Sequence, residues 1–219
     1  MKTRLLLTAL VVVAAAWANV ASATIITYTD RTLWTNAMPS VDYTVDFEGF
    51  GVDTSFALVP LDVGPFTLST IGTALPGRNI VDVAPFLFLG VPVSFGNAAV
   101  TIFVDDGDGL TAKIVFDTAV QGFFADFLFA GNTSELTLTL ANGDTTMIQV
   151  PGPGDSLEPF GFISTGGAIM SIEFSNTLND GFYIDNISAG FAVVPEPGTL
   201  ALLGLGLAGM GLARRRKKV

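Results

Sequence analysis

The 219 residues predict an all-β fold, two packed antiparallel sheets with one short helix near the start. Three observations carry that expectation. First, apolar and polar side chains alternate. Leu136, Leu138 and Leu140 interleave with Thr137 and Thr139, and Met170, Ile172 and Phe174 interleave with Ser171 and Glu173, as strands with one wet face require. Second, Asn142, Gly143 and Asp144 separate two such runs, and Asn179, Asp180 and Gly181 precede another, residue types that accept the positive φ of tight hairpins. Third, the chain holds 24 Gly, 11 Pro and 18 Phe, enough turn punctuation for many short strands and enough rings to fill the gap between two sheets.

Taken in order, the candidate strands are 24–29, 43–47, 64–70, 100–104, 111–116, 121–129, 135–140, 145–150, 160–164, 170–174 and 181–191. Asp30 is placed to cap a short helix from Arg31 to Ala37 that Pro39 ends, with Leu33, Trp34 and Ala37 toward the sheet. At that position the helix is expected to plug one end of the sandwich. Between Ile71 and Ser94, Pro76, Pro85 and Pro92 break any long strand, and loop with short edge strands is expected. The acidic knot of Asp105, Asp106 and Asp108 lacks the glutamate that a calcium-binding helix-loop-helix hand needs, and reads as a turn.

The two termini read as addresses. Met1 to Arg4 are basic, Leu5 to Ala16 are apolar, and Ala21, Ser22 and Ala23 offer the small residues that signal peptidase cuts after, which makes Thr24 the expected mature start. At the other end an apolar, glycine-rich stretch from Gly198 to Ala213 stops at Arg214, Arg215, Arg216, Lys217 and Lys218, five of the ten basic residues in the molecule. Such a cluster holds its end on the cytoplasmic side of a membrane. The stretch is shorter than the roughly 20 residues that span a bilayer unaided, which suits a temporary inner-membrane anchor.

Between these ends, residues 24–193 form one expected domain, with no linker or repeat to divide it. From Thr24 to Val194 only Arg31, Arg78 and Lys113 are basic against nineteen acids, a net charge of −16. A polyanion is repelled by such a body, so nucleic acid is not an expected partner. The chain has no Cys and no His, which removes disulfides, the usual zinc sites and every triad that relies on an imidazole base. Paired carboxylates are the remaining catalytic class, with Asp126, Glu135, Glu158 and Glu173 available, but acids on outward strand positions ordinarily serve solubility. The expectation is a protein that is not an enzyme.

Val194, Pro195, Glu196, Pro197, Gly198 and Thr199, followed by the Leu and Gly run and Arg214 to Arg216, resemble a PEP-CTERM sorting signal over residues 194–219. The resemblance implies an exported protein of a Gram-negative bacterium that makes exopolysaccharide. It also implies that an exosortase recognises Pro195, Glu196 and Pro197 and removes the tail, leaving the body at the cell surface or outside. The two prolines fix an extended segment with two fewer amide donors, open to a protease groove.

The body resembles, more loosely, the jelly-roll domains that many such proteins carry, on Val45 to Glu48 in an early strand and Gly181 to Ile187 in the last. In carbohydrate-binding jelly rolls comparable acids hold a structural calcium, which implies Asp46, Glu48 and Asp185 as ligands here. Asp46 and Glu48, two apart on a strand, share a face, and Asp185 joins them if the strands are neighbours. The leading expectation is therefore a surface or matrix protein associated with extracellular polysaccharide. The alternatives are a calcium-stabilised carbohydrate-binding module and, behind it, a glycoside hydrolase.

Overall fold

One long strand, shared by two sheets, organises the structure. The computed structural model describes residues 24–72, 79–83, 98–103, 111–128, 134–152, 157–176 and 181–191. In chain order the elements are β1 (Ile25–Tyr28), α1 (Arg31–Ala37), β2 (Tyr43–Val45), β3 (Thr54–Ser55), β4 (Leu61–Asp62), β5 (Phe66–Ile71), β6 (Ile80–Asp82), β7 (Ala99–Phe103), β8 (Thr111–Leu128), β9 (Ser134–Leu140), β10 (Thr145–Gln149), β11 (Leu157–Ser164), β12 (Ile169–Asn176) and β13 (Gly181–Phe191). The expected signal segment through Ala23, the acidic knot at Asp105 to Asp108, the motif Pro195 to Pro197 and the basic tail Arg214 to Lys218 lie outside the described residues.

The first part of β8 pairs with β5 on one side and β12 on the other, and beyond these lie β4 at one edge and β9 and β10 at the other. Its second part pairs with β11 and β13, with β1 outside β11. On its far side β13 takes two successive partners. Residues 181–184 pair with β7, which continues to β6 and β3, and residues 187–189 pair with β2. Each of these pairings is antiparallel, as the alternating sequence predicts.

The long strand changes phase as it crosses between sheets. Ala112, Ile114 and Phe116 face the interior on even numbers, then Asp117 and Thr118 are both exposed, and Phe123, Ala125 and Phe127 face it on odd numbers. Because side chains alternate strictly along a strand, an odd number of extra residues is needed to keep an apolar row inward on both sides of such a break. That break is why the sequence reads as two strands, 111–116 and 121–129, where the fold has one.

The interior is a single apolar cluster drawn from both sheets. It includes Leu68, Phe116, Leu138 and Phe174 from the first and Phe123, Phe127, Phe162 and Ile184 from the second. Phe174 of β12 meets Phe182 of β13 with ring centroids 5.8 Å apart, and Tyr43 of β2 meets Phe66 of β5 at 6.2 Å, both contacts crossing from sheet to sheet. A buried aromatic side chain contributes roughly 2–3 kcal/mol by transfer from water, and no disulfide supplements that term.

Two expectations are corrected. The helix does not plug an end of the sandwich: it lies on the outer face of the second sheet, where Trp34 and Met38 pack with Phe124 and Ile163. Those two residues are one helical turn apart and form the buried stripe, whereas Leu33 is 62% exposed and Ala37 is exposed too. The Asp30 cap forms as predicted, its carboxylate accepting the Leu33 N–H at 2.9 Å, and the Trp34 indole donates to the Phe162 carbonyl at 3.1 Å. Second, β6 is not an edge strand but sits between β3 and β7.

The helix and the turn after it approach the sheet closely because the sheet is bare there. Gly122 and Gly190 are cross-strand partners, and a Cβ on Gly190 would lie 2.1 Å from the Ser40 carbonyl oxygen and 2.4 Å from Met38 Cε. Backbone cannot yield as a side-chain tip can. Gly190→Ala is expected to lower stability by about 1–3 kcal/mol. Gly51→Ala, with no atom within 4 Å of its Cβ, is expected to change it little. Denaturant melts of both variants measure the difference.

Candidate functional site

The outer face of the second sheet carries the most developed polar constellation among the described residues. Its centre is Arg31, in the first turn of α1. One guanidinium nitrogen donates to Ser188 Oγ at 2.8 Å, and the other donates to Asp126 Oδ1 at 3.1 Å and to the Asn186 carbonyl at 2.9 Å. The guanidinium also lies over the Phe124 ring, 4.5 Å from its centroid. Asn186 returns a side-chain N–H to Asp126 Oδ2 at 3.0 Å, and Thr44 and Ser188 share a hydroxyl bond of 2.9 Å. An open cleft of about 470 Å³ runs over these groups, lined on its apolar side by Trp34 and Val41.

Why these residues meet follows from β13. The strand shifts register between Asp185 and Ser188, and Asn186 has φ 51°, a left-handed conformation that asparagine accepts more readily than most residues. The shift falls where β13 leaves β7 for β2. Three strand ends converge at this point, and backbone amides there have no ladder partner.

Carboxylates take their place. Asp185 Oδ1 accepts the Asn186 N–H at 2.7 Å, Asp46 Oδ1 accepts the Glu48 N–H at 3.2 Å, and Glu48 Oε1 accepts the Ala98 N–H at 3.3 Å. The structure therefore brings Asp46, Glu48 and Asp185 into one neighbourhood, but not by the expected route. β2 ends at Val45 and Phe47 has φ 59°, so the two early acids do not sit on one strand face. Among the described residues no three acids gather as a metal-ligand set, and these three are engaged with backbone.

Burial of Asp185, only 1% exposed, pushes its carboxyl up to about 7. The Asn186 amide opposes the shift, and the negative charges of Asp126, Glu48 and Asp46 add to it.

The four acids considered for catalysis do not converge. Asp126 is cross-strand from Pro159 on the outer face, whereas Glu158 is cross-strand from Phe127 and so lies on the inner face of the same sheet, 8% exposed. Glu135 and Glu173 stand on the outer face of the other sheet, Glu173 directly across from Lys113.

Arg31 and Ser188 were not singled out from the sequence. The one available signal was that Arg31 is among three bases in a body of nineteen acids.

Residues 193–217 match the PEP-CTERM protein-sorting motif. The chain carries a PEP-CTERM sorting signal. The PEP-CTERM motif marks an exported protein that is sorted through the membrane and recognised by an exosortase. No described helix is long and apolar enough to cross a membrane, and the segment from Gly198 to Ala213 lies outside the described residues.

Among curated proteins none matches the chain. Solved structures with some likeness include the enzymatically active domain of tailspike protein 4 from bacteriophage CBA120, at 16% identity and TM-score 0.36 over 60% of this chain and 20% of that one. A family 11 carbohydrate-binding module of a Clostridium thermocellum cellulase is 14% identical, with TM-score 0.32 over 70% of this chain and 95% of that one. A xylan-binding domain from Paenibacillus barcinonensis is 13% identical, with TM-score 0.34 over 65% and 95%. The chain thus spans a fifth of the tailspike domain.

The raised Asp185 gives a pH prediction. The folded state holds a proton that the unfolded chain releases near 3.8, so stability falls as pH rises from about 4 to about 7 and is lowest above that window. The full term is on the order of 4 kcal/mol. Asp185→Asn keeps an oxygen for the Asn186 amide and removes the charge, so its melting temperature is expected to be flatter across this range and higher than the parent's at pH 8. Thermal melts from pH 4 to pH 8 measure both.

Proposed function

We propose that this is an exported, non-enzymatic surface or extracellular-matrix protein of a Gram-negative cell, whose acidic β-sandwich is delivered through its sorting tail and associates with exopolysaccharide. The observation that carries the reading is the sorting motif at residues 193–217 joined to a body whose carboxylates serve structure. Asp46, Glu48 and Asp185 cap backbone amides, Asp126 neutralises Arg31, and Glu158 faces the opposite side of the sheet from Asp126. In this reading signal peptidase cuts after Ala23 and the apolar stretch holds the chain in the inner membrane briefly. The exosortase then acts at Pro195, Glu196 and Pro197, and Arg214 to Lys218 stay behind.

A second reading, a carbohydrate-binding module, is favoured by the cleft over Arg31. Hydroxyl, amide and carboxylate groups of Thr44, Asp126, Asn186 and Ser188 offer both donors and acceptors to a hydroxyl-bearing ligand. It lacks an exposed stacking ring, since Trp34 is 1% exposed. Calcium belongs to this reading only, with Asp46, Glu48 and Asp185 as its ligands.

Mass spectrometry of the secreted protein is expected to find Thr24 at the start and no residue beyond the Pro-Glu-Pro region. Retention of Arg214 to Lys218 in the exported form would refute the processing. In a melt series with added calcium, the surface-protein reading expects no rise in melting temperature. A rise together with calcium-dependent retention on the cell's own polysaccharide would replace it with the module.

A further inference from the structure

Asn142 is the one asparagine of the sequence that glycine follows. The pairing matters chemically, because a residue without Cβ leaves its amide nitrogen open to the side chain before it. Both residues are exposed at the tip of the hairpin between β9 and β10, where the Leu140 N–H donates to the Asp144 carbonyl at 2.8 Å and closes a loop of Ala141, Asn142 and Gly143. Gly143 supplies the positive φ of 89° that such a loop needs.

The loop prepares one reactant and restrains the other. The Asn142 side-chain oxygen accepts the Asp144 backbone N–H at 3.0 Å, and its side-chain nitrogen donates to Asp144 Oδ2 at 2.7 Å. Addition of a nucleophile to Asn142 Cγ puts negative charge on that oxygen, where a donor already points. The nucleophile within reach along the chain is the Gly143 nitrogen, and its N–H is held by the Leu140 carbonyl at 2.9 Å. Ala141 is tied as well, donating to the Ala168 carbonyl at 2.8 Å, so the reaction waits for the turn to open locally.

We propose that Asn142 is a site of spontaneous deamidation, gated by opening of the β9–β10 turn. The Gly143 nitrogen loses its proton and adds to Asn142 Cγ, the Cγ–Nδ2 bond breaks, and the freed nitrogen leaves with a proton as ammonia. Water then opens the cyclic imide at either carbonyl, which leaves an aspartate at position 142 or its β-linked isomer. Both products loosen the turn. The aspartate sets a second carboxylate against Asp144 where an amide donor stood at 2.7 Å, and the isomer adds a main-chain methylene to a loop whose length and glycine conformation set the register of the hairpin. Asp106, Asp108 and Asp180 also precede glycine, but an aspartate has no ammonia to release.

The test follows the full-length chain in mild detergent at pH 8. Peptide mass mapping is expected to place the amide-to-acid mass gain in the peptide that carries Asn142, with ammonia released in step, and Asn142→Ser is expected to release at least tenfold less. Urea that opens the body is expected to speed the gain at least tenfold in the parent and to leave Asn142→Ser slow, a comparison that holds whether or not the variant folds. Asn142→Asp makes one product directly and is expected to melt below the parent. Adding Asp144→Asn, which returns an amide donor opposite the new carboxylate, is expected to restore the loss. A gain that appears first at another asparagine, ammonia release unchanged in Asn142→Ser, the same rate with and without urea, or an Asn142→Asp chain that melts with the parent would each overturn the proposal.

Discussion

The pairing of β8 with β13 is the constraint on which the rest depends. β8 gives its first part to one sheet and its second part to the other, and β13 runs beside the second part while seating β7 and β2 on its far side. Both strands change phase partway. In each, the change lets apolar residues stay inward across a break: Phe116 then Phe123 in β8, Ile184 then Ile187 in β13. A strictly regular strand of either length would turn half of its phenylalanines and isoleucines to water. The phenylalanine-rich interior is thus possible because two strands are irregular, and the irregularities supply the places where polar groups collect.

One of those places accounts for the acids that first drew attention. Where β13 exchanges β7 for β2, backbone amides are left without strand partners, and Asp46, Glu48 and Asp185 accept from them. An unpaired buried amide costs about 1–3 kcal/mol, and Glu48 and Asp185 each meet one that is part-buried. On the outer side of the same irregularity, Arg31 reaches from the helix to the Asn186 carbonyl, Ser188 and Asp126. It fastens the helix to the shifted strand. The cleft lies where the short helix docks on the open sheet face, and Arg31, Thr44, Asp126, Asn186 and Ser188 in its lining bond to one another.

Much of this was legible in the residues, and what was not has specific causes. The period of two located β9, β10, β12 and β13 because each has one wet face; β9 buries Ser134, Leu136, Leu138 and Leu140 in strict alternation. Asn142 and Gly143 gave the hairpin between β9 and β10, and Gly143 has φ 89°. The continuity of β8 was hidden, since a phase change looks like a turn when only alternation is read. The two-residue strands β3 and β4 were hidden because two residues have no period. The helix was located and capped correctly, but its buried face was read as three residues where Trp34 and Met38 carry it. The glycines that admit it, Gly122 and Gly190, are some 70 residues apart in the chain and become neighbours only through the β8–β13 ladder. For the site, Asp185 and Asp46 were found by type, but their role turned on a change of strand partner that no spacing reveals.

The position of β13 has a consequence for the order in which the molecule can fold. β1 waits for β11, β5 waits for β8, and β2 and β7 both wait for β13, the last described strand of the chain. A polypeptide whose early segments find their mates only at the end stays open while it is being made, because contacts between distant residues form slowly. The architecture thereby leaves the early strands without their mates until the last described strand is made, the one just ahead of the sorting motif.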